Sequence, residues 1–170
     1  DKDYNTIITL NNNAIEEAKK CDAIYKEKGR DSLLFGIPIL VKDNIDVYGM
    51  PTTNGTKTIL DSYPKEDSEA IKLLKEKGVI VLGKTNMSEF AFYASSSKSS
   101  FGTTSNAYNK EYSSYGSSGG SAVSVALAFA QVSLGTDTAA SVRTPASANN
   151  VIGIRPTFNT ISSKGVILYD

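Results

Sequence analysis

Hydroxyl groups crowd the two ends of one apolar run. Ser117, Ser118 and Ser121 open it, Thr136, Asp137, Thr138 and Ser141 close it, and Ala122 to Leu134 lies between, broken by Ser124, Gln131 and Ser133. Packing uses the Ala, Val and Leu of the middle and has no need of polar side chains at both ends. Two loops tied to the ends of one buried element can meet as a single site. The chemistry open to such a site is attack by a serine hydroxyl. The chain contains no histidine. Ser-His-Asp and Cys-His catalysis are therefore excluded within it, as is any His-ligated metal. If a serine is the nucleophile, something other than imidazole must take its proton.

Taken alone, Gly116 to Ser121 (GSSGGS) has other readings. A phosphate cradle of the Walker type would need a lysine after the second glycine, and Ser121 and Ala122 stand there. Ser141 lacks the G-x-S-x-G elbow, since its neighbours are Ala139, Ala140, Val142 and Arg143. A plain serine-rich helix start fits GSSGGS equally well. Lys42 directly follows the apolar run Ile37 to Val41. It either points to solvent or is held at the mouth of a sheet, and Asp43, Asn44 and Asp46 make a polar pocket the competing environment.

The elements that must position these residues follow from periodicity. Ala14, Ile15, Ala18, Cys21, Ile24 and Tyr25 lie at helical spacing, predicting a helix over 13–28 with Asn13 as cap and Gly29 as stop. Ile37 to Val41 reads as a buried strand that Pro38 places at an edge or at its start. A helix is expected over 66–77, capped by Asp67 or Ser68, then a strand over Val79 to Leu82 ended by Gly83. Strand, helix and strand in that order suggest a parallel α/β unit. The stretch 95–115 reads as a long loop over the site. A helix of small residues follows to Gln131, then short strands at Val132 to Leu134 and Val151 to Ile154, and a last apolar run at Val166 to Leu168.

Composition sets outer limits. The 170 residues fit one domain with a real core, 40% are hydrophobic and 21% charged, and 18 basic residues balance 18 acidic ones. No basic surplus points to nucleic acid, and no apolar run approaches the ~20 residues of a membrane helix. One cysteine, Cys21, allows no internal disulfide and reads as an inert, partly buried thiol. A cytoplasmic location is expected, although a chain whose export signal had been cleaved would read the same.

Five motifs occur together: GIPILVKDNI (36–45), GKTNMSEFA (83–91), GSSGGS (116–121), LGTDTAASVRTPA (134–146) and VIGIRPT (151–157). The set resembles the amidase signature family, whose members include fatty acid amide hydrolase and the A-type component of glutamyl-tRNA amidotransferase. The resemblance implies an α/β fold with a mixed sheet flanked by helices, made of a helical lead-in over 1–35 and a signature core over 36–157. It also implies a further C-terminal portion, so the chain is expected to be incomplete relative to the family.

By motif position the resemblance assigns a Ser-cisSer-Lys triad: Ser141 as nucleophile, Ser117 as bridging serine after a cis peptide bond, and Lys42 as base. Ser118 becomes a supporting hydroxyl, and Asp137 and Arg143 brace the nucleophile loop. The backbone N–H groups of Thr138, Ala139 and Ala140 become the oxyanion hole. Two alanines stand where the family usually has glycines, which is harmless if neither needs a positive φ. Ala148-Asn149-Asn150 stands where the family often has a Phe-Cys-Gly-type segment, which would alter the acyl pocket. No metal or organic cofactor is implied. The partners implied are a small-molecule amide and either a second copy of the chain or a complementary C-terminal chain. The implied reaction is amide hydrolysis through an acyl-enzyme. The alternatives are an amidotransferase component that frees ammonia from glutamine, and a non-catalytic fragment acting in assembly or binding. For Lys42 to serve as base, its pKa must fall from ~10.4 to near neutrality, at ~1.4 kcal/mol per pH unit.

Overall fold

A computed structural model of the chain describes residues 1–168. Its centre is a four-stranded mixed sheet. The elements in chain order are β1 (Ile7–Leu10), α1 (Ala14–Lys28), β2 (Pro38–Lys42), α2 (Glu69–Glu76), β3 (Ile80–Thr85), β4 (Lys98–Ser99), β5 (Gly102–Thr103), α3 (Gly119–Ala126), β6 (Val132–Leu134) and α4 (Arg143–Ala148). The sheet order is β1-β3-β2-β6, with β2 parallel to both β3 and β6 and β1 antiparallel to β3. The expected parallel strand–helix–strand unit is β2-α2-β3.

Strand β2 reads as a continuous apolar run because both its faces are covered. Pro38 is its first residue, where a missing N–H costs the ladder least. One face carries the core of Ile39, Val41, Ile45, Val47, Met50, Ile71, Val79 and Val81, which α2 closes with Ile71 and Leu74. Helix α3 lies against β2, β3 and β6. The ladder between β2 and β3 slips by one residue: Ile39 faces Val81, but Leu40 faces Gly83, leaving Leu82 as a bulge. Strand β3 therefore runs through Gly83 to Thr85, rather than ending at Gly83.

Three further expectations are corrected. Helix α3 ends at Ala126, not Gln131. Ala128 adopts φ 57, and the N–H groups of Ala128 and Phe129 donate to the carbonyls of Val125 and Ser124, which closes a Schellman cap. Val151 to Ile154 is not a strand. Asn150 (φ 53) and Val151 cap α4 in the same way, through the carbonyls of Ser147 and Ala146. Asn13 makes no side-chain cap; the turn before α1 is held by Asn11, which accepts from the N–H of Asn13 at 2.9 Å and donates to the carbonyl of Val81 at 2.8 Å. Strand β1 and helix α4 were not anticipated.

The glycines of GSSGGS serve close approach rather than freedom. A Cβ on Gly120 would collide with the carbonyl oxygens of Asn86 and Thr6, and one on Gly119 with Ser97. Both neighbours of Gly120 are backbone, so they cannot swing aside. Gly120→Ala is expected to cost about 1–3 kcal/mol, read as a lowered urea midpoint with an unchanged slope.

Candidate active site

Three elements converge on the site. Lys42 ends β2 and is fully buried, with its side chain on the α3 face of the sheet. Its Nζ lies 2.7 Å from Ser117 Oγ and 2.7 Å from Thr136 Oγ1. Burial pulls its pKa down to about 7, against the opposing pull of Asp137. The solvent-exposed alternative is thus overturned: the amine sits among hydroxyls, with no carboxylate in contact to hold its proton.

The peptide bond between Gly116 and Ser117 is cis, as the resemblance implied. The main chain there is held from outside by the segment before it. The Ser117 carbonyl accepts from the Ser88 N–H at 3.1 Å and Ser97 Oγ at 3.4 Å, and the Gly116 N–H donates to the Ala94 carbonyl at 2.8 Å. Residues 88–97 thus fasten the serine loop, and Ser97, which also accepts from the Gly119 N–H at 2.8 Å, ties in the start of loop 95–115 with its small hairpin β4-β5.

Ser118 stitches the two loops together. Its N–H donates to the Ser141 carbonyl at 3.1 Å, while its Oγ donates to the Thr136 carbonyl at 3.2 Å and accepts from the Thr136 N–H at 3.3 Å. Ser121 is spent on structure, contacting Thr85 Oγ1 at 2.8 Å and the Leu134 carbonyl at 3.0 Å.

The loop carrying Ser141 is gathered around one carboxylate. Asp137 Oδ2 accepts from the N–H groups of Val142 (3.1 Å) and Arg143 (3.2 Å) and from Arg143 Nε (3.0 Å), while Oδ1 accepts from Arg143 Nη2 at 3.0 Å. Arg143 Nη2 also reaches the Ala139 carbonyl at 2.5 Å. Desolvation pushes the Asp137 carboxyl upward, but the Arg143 bonds, the two N–H donors and the guanidinium charge together hold it below the usual carboxylate range. Arg155, from VIGIRPT, joins from beyond α4, its Nε 3.5 Å from Asp137 Oδ1.

Ser117, Thr136, Thr138, Ala139 and Ser141 line one cavity of about 190 Å³, whose walls include Asn44, Phe92 and Ile167. Neither Ala139 nor Ala140 has a positive φ, so alanine fits where glycine was expected. The N–H groups of Thr138, Ala139 and Ala140 donate to no described residue. A run of free donors beside a serine on a cavity wall is what a developing oxyanion requires. Among the described residues no cluster of acidic and cysteine side chains could hold a metal ion.

Sequence reading placed Asn44 in a polar pocket beside Lys42, and it does line the cavity; it missed Thr136 as a partner of Lys42, Phe92 as a wall and Arg155 as a brace. It also missed the buried pair on the opposite face of the sheet, where Lys84 Nζ lies 3.5 Å from Asp43 Oδ1 and 3.1 Å from both the Pro51 carbonyl and Thr52 Oγ1. Lys84 falls inside GKTNMSEFA and Arg155 inside VIGIRPT, so the motifs flagged the segments without saying what these residues do.

The Amidase family profile matches residues 1–170, and the chain belongs to that family of amidase signature proteins. It is 46% identical over 168 residues to the A-type component of the glutamyl-tRNA(Gln) amidotransferase of Lachnoclostridium phytofermentans, covering 98% of this chain and 34% of that protein. Among solved structures, the native peptide amidase of Stenotrophomonas maltophilia superposes with a TM-score of 0.91 at 37% identity, over 96% of this chain and 34% of that one. The corresponding A-type component of the Thermotoga maritima glutamyl-tRNA(Gln) amidotransferase gives 0.75 at 34% identity, over 91% and 38%. The chain spans about a third of the length of these relatives.

Proposed function

We propose that the chain carries the serine amidohydrolase site of an A-type amidotransferase component, which frees ammonia from glutamine. The observation that carries the chemistry is the 2.7 Å contact between Ser117 Oγ and a buried Lys42 whose pKa is about 7. The similarity to curated amidotransferase components of this type supports the setting.

In this reading the neutral Lys42 amine takes the Ser117 proton as Ser117 takes that of Ser141. Ser141 Oγ then forms a bond to the amide carbon, and the carbonyl electrons move onto oxygen. The N–H groups of Thr138, Ala139 and Ala140 receive that oxyanion, typically worth ~3–4 kcal/mol per donor. Collapse breaks the C–N bond, and the relay returns its proton to the leaving nitrogen. Attack by water, or by another acceptor, then frees the acyl group and restores Ser141.

A free-standing amidase is the second reading, favoured by the closer superposition on the peptide amidase. Ammonia release from glutamine that rises when companion chains are added supports the first reading; equal turnover of simple primary amides without companions supports the second.

The site itself is tested by a fluorophosphonate probe read by intact mass. Lys42 acts in its uncharged form, so labelling should rise with pH, pass its midpoint near 7 and level off above it. A rate that is flat from pH 5.5 to 9 would remove Lys42 from the relay.

A further inference from the structure

We propose, resting on the hydrolase reading above, that Asn44 is a positioning residue that holds a cavity wall and the proton acceptor in one register. Asn44 lies two residues past β2 and is 1% exposed. Its Nδ2 donates one proton to Thr136 Oγ1 at 3.1 Å and the other to the Ile167 carbonyl at 3.0 Å. A backbone carbonyl can only accept, so this bond fixes which end of the carboxamide carries the NH₂ group. Thr136 Oγ1 is in turn 2.7 Å from Lys42 Nζ.

The other end of the link is a strap over the site. The Ile167 N–H donates to the Asn44 carbonyl at 2.8 Å, the Asp46 N–H donates to the Gly165 carbonyl at 2.8 Å, and Val166 bridges Ile45. Ile167 and Leu168 line the cavity. One carboxamide therefore touches the cavity wall directly and the base through a single hydroxyl.

The identity of the residue supports the role. Asn44 leaves its own Oδ1 buried without a partner. A position filled for packing alone would carry an apolar side chain, because an unpaired buried acceptor is a net cost. What asparagine adds is two protons from one nitrogen. Serine offers one, leucine offers none, and an ionised aspartate has no proton for either and would face the Ile167 carbonyl with lone pairs. The charged groups around Lys42 are Asp137 on the loop after β6, which Arg143 of α4 engages, and Asp43, which faces Lys84 of β3 on the opposite face of the sheet. Asp46 stands two residues beyond Asn44. None of these charges bonds to Thr136 Oγ1, to which among the described residues only the side chains of Lys42 and Asn44 hydrogen-bond.

The test is the labelling rate of Ser141 by a small fluorophosphonate between pH 5.5 and 9.5, together with hydrogen exchange at the Ile167 amide. Asn44→Asp places a carboxylate two hydrogen bonds from Lys42 and should raise the pH midpoint by about one unit or more. Asn44→Ala and Thr136→Val should each slow labelling about tenfold, and the double variant should be no slower than the worse single one, because both break one link. Thr136→Ser should recover most of the rate lost in Thr136→Val. Exchange at Ile167 should quicken about tenfold in Asn44→Ala and stay unchanged in Thr136→Val. An unmoved midpoint in Asn44→Asp, or slowing that multiplies in the double variant, overturns the proposal. If the unsubstituted chain takes no label, the hydrolase reading fails instead, and the Ile167 exchange rates still decide whether Asn44 holds the strap.

Discussion

Ser141→Ala should abolish the covalent adduct entirely, while Lys42→Met should slow adduct formation by about 10²–10⁴-fold, the usual contribution of a general base. The two substitutions differ in kind. The first removes the atom that bonds to the probe. The second leaves that atom in place but strands its proton, because Ser117 has nowhere to pass it. Ser117→Ala should resemble Lys42→Met, and combining the two should add little, since residues that act as a unit are not additive. Folding is a weak confounder for Lys42→Met. The amine it removes is fully buried and makes two hydroxyl contacts, and an apolar chain of similar length avoids the desolvation of a charge. Peptide mapping reads the result directly. An adduct on Ser117 or Ser121 would refute the assignment.

The second large effect concerns the surface the chain presents. Ile152 is 91% exposed, Phe158 80% and Ile154 76%, all on the segment that follows α4. Among the described residues, strand β6 pairs only with β2, and its Val132 is half exposed. The relatives are about three times as long as this chain. We therefore expect a version extended to the relatives' length to turn over primary amides ~10²-fold faster or more than the 170-residue chain, which is the penalty of substrates held even slightly out of place. Both forms should still take the fluorophosphonate, which needs little positioning. The shorter chain should also self-associate through this apolar surface, visible by light scattering. Equal turnover by a monodisperse monomer of the shorter chain would contradict the expectation.

The fold was legible where burial writes itself into composition. Strand β2 shows as an unbroken apolar run, and α2 shows by Ile71 and Leu74 on one side of a charged helix. It was illegible where tertiary pairing overrode local signals. Strand β1, at the sheet edge and only half buried, carries no clean alternation. Helix α4 contains Pro145, which suits its first turn but reads as a breaker. The end of α3 was missed because Ala128, not a glycine, takes the left-handed conformation. The site divides the same way. Lys42, Ser117 and Ser141 stand in motifs, whereas the contact of Thr136 with Lys42 joins residues 94 apart in sequence. Ser117 and Ser141 line one cavity, and Lys42 is bonded to the first of them; their roles in turnover rest on the proposal.

The bulge at Leu82 decides which charge the site sees. Before it, Pro38 faces Ile80 and Ile39 faces Val81; after it, Val41 faces Lys84 and Lys42 faces Thr85. An unbroken ladder would have continued the first register and set Lys84 opposite Lys42. Residues directly opposite share a face of the sheet, and a one-residue slip exchanges the faces. The extra residue thus delivers a hydroxyl, Thr85, to the α3 face and sends a second ammonium to the other side, where Asp43 receives it. Chain length in β3 acts as a charge selector. Inserting one residue between Leu82 and Gly83, with the bulge kept, alters no side chain of the site, yet it would set Lys84 opposite Lys42 and place two lysines side by side, each suppressing the other's protonation. The spacing between VIVL and KTN is therefore as much a part of the active centre as the residues that line it, and an insertion there should be far less tolerated than a substitution.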